Sequence, residues 1–176
     1  MLERIGKALK VEELPSTVFE TTIAWVCARQ ELIDMEKAGV KVGAWSDAFN
    51  TYGAMRHPTR YLKKTCIEAP IDEEIEHRWY TLIPVINESN VVNLAMTARF
   101  AMVHNRTFDG TMDFSRIPYG QFIAGLHLSS VAKRRNILHA MIAHSTWNVL
   151  CFGSIKLEQA TEITKEKLNK YESYFK

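Results

Sequence analysis

Ile137-Leu138-His139-Ala140-Met141-Ile142-Ala143-His144-Ser145-Thr146-Trp147-Asn148-Val149-Leu150-Cys151-Phe152 decides how the chain reads. The segment predicts an apolar helix, with Gly153 as its stop. Asp, Glu, Lys and Arg are absent from Asn136 to Ile155, about the 20 residues that a bilayer-spanning helix needs. However, His139, His144, Thr146, Asn148 and Ser154 lie within it, and such polar groups are expensive in lipid. Mean hydropathy over the chain is −0.16, which also opposes several spanning helices. The expectation is a soluble helical protein without transmembrane insertion, peripheral membrane contact being left open.

Outward from that helix, 176 residues fit one domain, with enough core to need no disulfide or metal staple. The 22 basic and 20 acidic residues give a net charge of +2, scattered except at Lys133-Arg134-Arg135, so no nucleic-acid partner is expected. Cys27, Cys66 and Cys151 form no CxxC pair, and residues 1–10 hold no apolar core for a signal peptide. Both features fit a cytoplasmic protein in a reducing compartment.

The rest of the chain also reads as helical, with sparse strand signals. Leu2 to Leu14 predicts a short amphipathic helix ended by Pro15, after which Thr17 and Glu20 have capping-box spacing. Phe19, Ile23, Val26, Leu32, Ile33 and Met35 then recur at helical intervals until Gly39. Residues 40–70 are irregular, with one helix near Pro58 to Ile67. Asp72 resembles an N-cap for the acidic turn Glu73-Glu74-Ile75-Glu76, opening a helix towards Val85 that Pro84 kinks or ends. A helix from Val91 to Val103, a loop with Asp109-Gly110, and a helix opened by Pro118 and running through Leu128 follow. Lys133-Arg134-Arg135 reads as a solvated start to the Ile137 helix, and residues 156–176 as a charged C-terminal surface helix. The predicted fold is an all-α compact bundle of about six to eight helices, a single domain over 1–176.

Three short motifs carry chemistry. Glu73-Glu74-Ile75-Glu76-His77-Arg78 matches E-E-x-x-x-R, Phe100-Ala101-Met102-Val103-His104 matches F-x-x-x-H, and His144-Ser145-Thr146-Trp147-Asn148 matches H-x-x-x-N. Residues four apart share a helix face, so Glu74 can pair with Arg78, while Glu73 projects beside His77. His144 and Asn148 can aim two donors at one point, and His104 can join from a third element. A carboxylate base, a histidine and two donors facing a developing oxyanion suffice for amide hydrolysis by water.

That trio, in that order, resembles the CPBP family (CAAX proteases and bacteriocin-processing enzymes, also called ABI), and the resemblance covers residues 71–152. It implies that Glu73, helped by His104, activates the attacking water. It further implies that His144 and Asn148 stabilise the oxyanion, and that Glu74 and Arg78 form a supporting pair. A base working near neutral pH would need burial to raise the Glu73 pKa to roughly 6–7. Family members carry these motifs on transmembrane helices; Tyr61-Leu62-Lys63-Lys64-Thr65-Cys66-Ile67-Glu68 ahead of the pair, and Arg99 inside the second motif helix, point to a shortened soluble relative. Its substrate would be a peptide or protein.

Other readings stay open. Each motif alone has an ordinary structural explanation: an acidic helix start, a core aromatic with a satisfied histidine, and a polar stripe on a packed helix. A catalytically inactive helical interaction module would seal these groups against one another and expose an apolar patch elsewhere. A zinc hydrolase would use Glu73, His104 and His144 as three ligands with an open position; the metal-free site, with no cofactor, is favoured. His127 and His139 read as structural or surface residues, His77 as a helix-face partner of Glu73, and Trp79 and Trp147 as walls of the site. The oligomeric state is left open.

Overall fold

The computed structural model describes residues 10–42, 54, 56–83, 86, 89–105 and 112–159. Among them the protein is all-α, without a strand, and carries an isolated bridge between Val42 and Ile117. The main helices are α1 (Leu14–Lys37), α2 (Pro58–Lys63), α3 (Ala69–Arg78), α4 (Asn90–His104), α5 (Tyr119–Arg134) and α6 (Ile137–Gln159). A π-helical turn, Lys64–Glu68, joins α2 to α3, and a 3-10 turn, Trp79–Leu82, follows α3. No helix among the described residues is long and apolar enough to cross a membrane.

The core lies where α1, α4, α5 and α6 meet. Trp25 and Ala28, Phe100, Ala124, Leu128 and Val131, and Ala143, Trp147 and Cys151 form one apolar cluster. Small residues let the helices approach closely. A Cβ on Gly125 would stand 3.1 Å from both Phe100 Cδ1 and Thr97 Cγ2, so this glycine sets the α4–α5 spacing. Trp147 stacks on His127 inside this core, in the same cluster as Phe100, and Trp79 is largely exposed. Burial pushes the Cys66 thiol up to about 11, which keeps it from ionising.

The apolar stripe read along α1 divides: Phe19 is 67% exposed and Ile23 and Val26 are exposed as well, whereas Leu32 is buried. The buried face is Thr17, Thr21, Trp25, Ala28 and Leu32. Two threonines can sit inside because their hydroxyls are satisfied. Thr17 Oγ1 donates to the Glu13 carbonyl and accepts from Arg135, and Thr21 Oγ1 donates to the Thr17 carbonyl and meets His127 Nε2 at 2.9 Å. Thr17 therefore lies inside the helix and is no cap. Pro15 opens α1 instead of ending a preceding helix, its missing N–H costing nothing in a first turn. Residues 1–9 of that preceding helix lie outside the described residues.

Other helix ends move for identifiable reasons. Asp72 is inside α3, because the π turn carries the helix in from Lys64. Ser89 caps α4, accepting from the Val92 N–H, while Pro84 and Val85 lie outside the described residues. α5 continues past Leu128, and Lys133 and Arg134 close it instead of opening α6. Cations suit that negative end of the helix dipole. Arg135, just beyond, is nearly buried and holds Glu13 at 2.9 Å and Glu20 at 2.7 Å, tying the start of α1 to the end of α5. α6 runs through Gly153 to Gln159, since Cys151 and Ser154 stay buried on either side and packing outweighs the roughly 1 kcal/mol cost of a helical glycine. The rest of the C-terminal helix expected over 156–176 lies outside the described residues.

Both histidines read as structural or surface residues have structural partners. His139 bonds Asn136 Oδ1, which also caps α6 by accepting from the His139 N–H, and its Nε2 meets the Lys10 carbonyl at 3.1 Å. Burial, reinforced by Arg134, drives the His127 imidazole down to about 4 from its ordinary 6.5. The unfolded chain therefore takes up this proton first as pH falls, and stability drops between about pH 6.5 and pH 4. Urea unfolding of His127→Gln at pH 7 and pH 4.5 is expected to show a shallower loss on acidification than the parent protein.

Candidate active site

α3 presents Glu74, His77 and Arg78 inward, with Glu73 at the edge of the same face. Glu74 and Arg78, one turn apart, are both fully buried and joined at 2.7 Å from Arg78 Nη1 to Glu74 Oε1. Two charges removed from water need further partners. Arg78 Nη2 donates to the Gly125 carbonyl at 3.3 Å, and its guanidinium lies 5.2 Å above the Phe100 ring centre. Glu74 Oε1 also meets His144 Nδ1 on α6 at 2.8 Å. The carboxylate thus does more than pair with arginine. It fixes the His144 ring with Nδ1 protonated and Nε2 turned to the neighbouring carboxylate.

That neighbour is Glu73. Its Oε2 lies 3.1 Å from His104 Nε2 and 3.6 Å from His144 Nε2, so three helices bring these groups together. Glu73 and His104 are about 27% and 31% exposed, open enough for solvent or ligand to reach them. The Phe100 ring underlies the arrangement, with its centre 4.4 Å from that of His104 and 5.9 Å from that of His144.

Hydrogen-bond logic fixes the protons. His104 Nδ1 meets the Phe100 carbonyl at 2.8 Å, and a carbonyl only accepts, so Nδ1 carries hydrogen. Nε2 then shares a proton with Glu73 Oε2. Burial opposes ionisation of Glu73, but the His104 hydrogen bond and the nearby His144, His104 and His77 outweigh it, so the carboxyl is held below its ordinary 4.5. This corrects the expected rise to 6–7. Burial alone would raise the pKa, but three histidines around one carboxylate reverse the direction.

Asn148, one turn from His144 on α6, has a partner of its own. Its Nδ2 donates to the Thr65 carbonyl at 2.7 Å. The π turn explains why. The Ala69 N–H closes the turn on the Lys64 carbonyl, and the next residue, Pro70, has no N–H to offer Thr65. Asn148 fills that vacancy with one of its two amide N–H groups.

The structure adds a feature that spacing alone did not give. His77, read as a partner of Glu73, hydrogen-bonds across to α4, where Arg99 Nη1 meets its Nδ1 at 2.8 Å and Arg99 Nη2 meets Glu76 at 2.9 Å. The signal was present in Arg99, a charge within an otherwise apolar helix, but its target lies 22 residues away.

Among the described residues no group of three His, Cys, Asp or Glu is arranged to hold a metal ion. His104 Nε2 and Glu73 Oε2 face each other across a hydrogen bond instead of converging on a common point. No protein-family model, curated protein or solved structure matches the chain.

Removing one partner of a fully buried ion pair strands the other. Glu74→Gln and Arg78→Met are each expected to lower unfolding free energy by about 3–5 kcal/mol, and the double variant by less than the sum. Urea denaturation of the three variants measures this.

Proposed function

We propose that the protein is a glutamate-dependent peptidase, a shortened relative of the CPBP family that hydrolyses a peptide or protein substrate. One observation carries the reading: Glu73 Oε2 lies between His104 Nε2 at 3.1 Å and His144 Nε2 at 3.6 Å, at a partly open edge of the bundle. Glu73 Oε2 shares a proton with His104, which leaves the other carboxylate oxygen to accept a proton from water. The water oxygen bonds the carbonyl carbon, the carbonyl pair moves onto oxygen, and the C–N bond breaks as the amine takes up the proton. His144, braced by Glu74, faces the same carboxylate and can relay that proton. Arg78 holds Glu74 in place for the bracing role through the 2.7 Å contact between them.

A second reading rests on a different observation. Glu74, Arg78, His144 and Asn148 are bonded within the fold, and α1 exposes Phe19, Ile23 and Val26 along one face. A non-catalytic interaction module would combine an internally bonded polar cluster, here with Glu74 Oε2 and Arg78 Nε left without a hydrogen bond, with such a stripe.

Glu73→Gln separates the two. Cells producing the parent protein should accumulate new peptide termini that cells producing Glu73→Gln lack, as measured by proteome-wide terminal labelling; identical termini would leave the interaction reading. The pH profile gives an independent check. Because Glu73 is held below 4.5, its ionised form persists down to that range. The acid limb that it governs in kcat/KM should therefore fall below pH 4.5, and a limb near 6–7 would assign the proton acceptor to another group.

A further inference from the structure

Hydrolysis as proposed above needs a hydrogen-bond donor for the oxygen of the attacked carbonyl, and one of the two amide N–H groups of Asn148 is committed to the Thr65 carbonyl, which anchors that side chain at the π turn. His144 Nδ1 is occupied by Glu74, and the proton on His104 Nε2 is shared with Glu73. The remaining histidine of the cluster is His77. It is buried, one turn from Glu73 on α3, with its ring centre 6.5 Å from that of His104 and its plane edge-on to Phe100 at 5.5 Å.

Arg99 determines what His77 can do. A guanidinium only donates, so His77 Nδ1, 2.8 Å from Arg99 Nη1, must accept and cannot carry hydrogen. The ring is therefore neutral, with its single proton on Nε2. The charged and titratable groups around it are Glu73, Glu76 and Arg78 on α3, Arg99 and His104 on α4, and His144 on α6. Burial, with Arg99, His104 and Arg78 outweighing Glu76, holds its pKa below the ordinary 6.5. Its proton, unlike that of His104, is not shared with Glu73.

We propose that His77, held by Arg99 as the neutral Nε2–H tautomer, donates the hydrogen bond that stabilises the carbonyl oxygen during hydrolysis, in the place that motif spacing gave to Asn148. This rests on the peptidase reading. No proton leaves His77: as water adds to carbon and the carbonyl pair moves to oxygen, Nε2–H shortens its contact with the growing negative charge. Arg99 is a positioning residue, fixing the tautomer without touching substrate.

The test has two arms on the full chain. Two-bond 1H–15N correlation spectra of histidine-labelled protein should place the His77 proton on Nε2 at pH 7, and Arg99→Met should give mixed tautomers. A proton on Nδ1, or on both nitrogens, in the parent protein would overturn the proposal. On a peptide that the terminal-labelling experiment identifies, His77→Phe should lower kcat by about 100-fold while KM changes less than about threefold, and His77→Gln, which keeps an amide donor near Nε2, should recover part of that loss. Unchanged kcat in a His77→Phe protein with the parent unfolding midpoint, or a loss no larger than that of Asn148→Ala, would sink the assignment. If His77→Phe does not fold, Arg99→Met decides: kcat should fall with KM held, and parental kcat alongside mixed tautomers would overturn the role. A parent protein that cleaves nothing removes the peptidase reading and the donor role together, while the spectra still report the tautomer separately.

Discussion

Two opposite charges with no water around them impose order on the centre of this protein. Glu74 and Arg78 sit one helical turn apart at full burial, and each must be answered by something other than solvent. Arginine reaches the Gly125 carbonyl and lies over Phe100, and the carboxylate takes the Nδ1 proton of His144. α3, α4, α5 and α6 are thereby brought into register around one pair. Phe100 also borders both catalytic-candidate imidazoles, so the same ring packs the core and shapes the polar edge.

Polar groups in this bundle work in pairs of unequal accessibility. Glu74 and His144 are sealed, whereas Glu73 and His104, immediately beside them, keep contact with solvent. The sealed pair fixes geometry that the open pair can use, since a ring held on one nitrogen leaves the other aimed in a set direction. Glu73 illustrates how context decides acidity. Desolvation acts on it in one sense, the His104 hydrogen bond and the surrounding histidines in the other, and the neighbours prevail.

The all-α class was legible because charge-free or helically patterned segments of helix length follow one another with few strand signals between them, and the Glu74–Arg78 pair because i and i+4 share a face. Less legible were features created by residues far apart in sequence. The buried face of α1 holds Thr17 and Thr21, whose partners Arg135 and His127 lie more than 100 positions away, so hydrophobicity pointed to the wrong side of that helix at Phe19, Ile23 and Val26. Motif spacing placed Asn148 one turn from His144 but could not reveal that a missing proline N–H would claim its amide. The bond between His77 and Arg99 was hidden for a similar reason, since the guanidinium comes from another helix.

The π turn at Lys64–Glu68 has a consequence for how the chain tolerates length changes. Such a turn accommodates one residue more than an α-helix of the same rise, and one residue corresponds to about 100° of rotation about the axis. Shortening the segment by a single codon would swing the face bearing Glu73, Glu74, His77 and Arg78 about a quarter of the way around. A local surplus of backbone thus sets the azimuth of the whole polar array, and Asn148 is the latch that keeps the surplus in place.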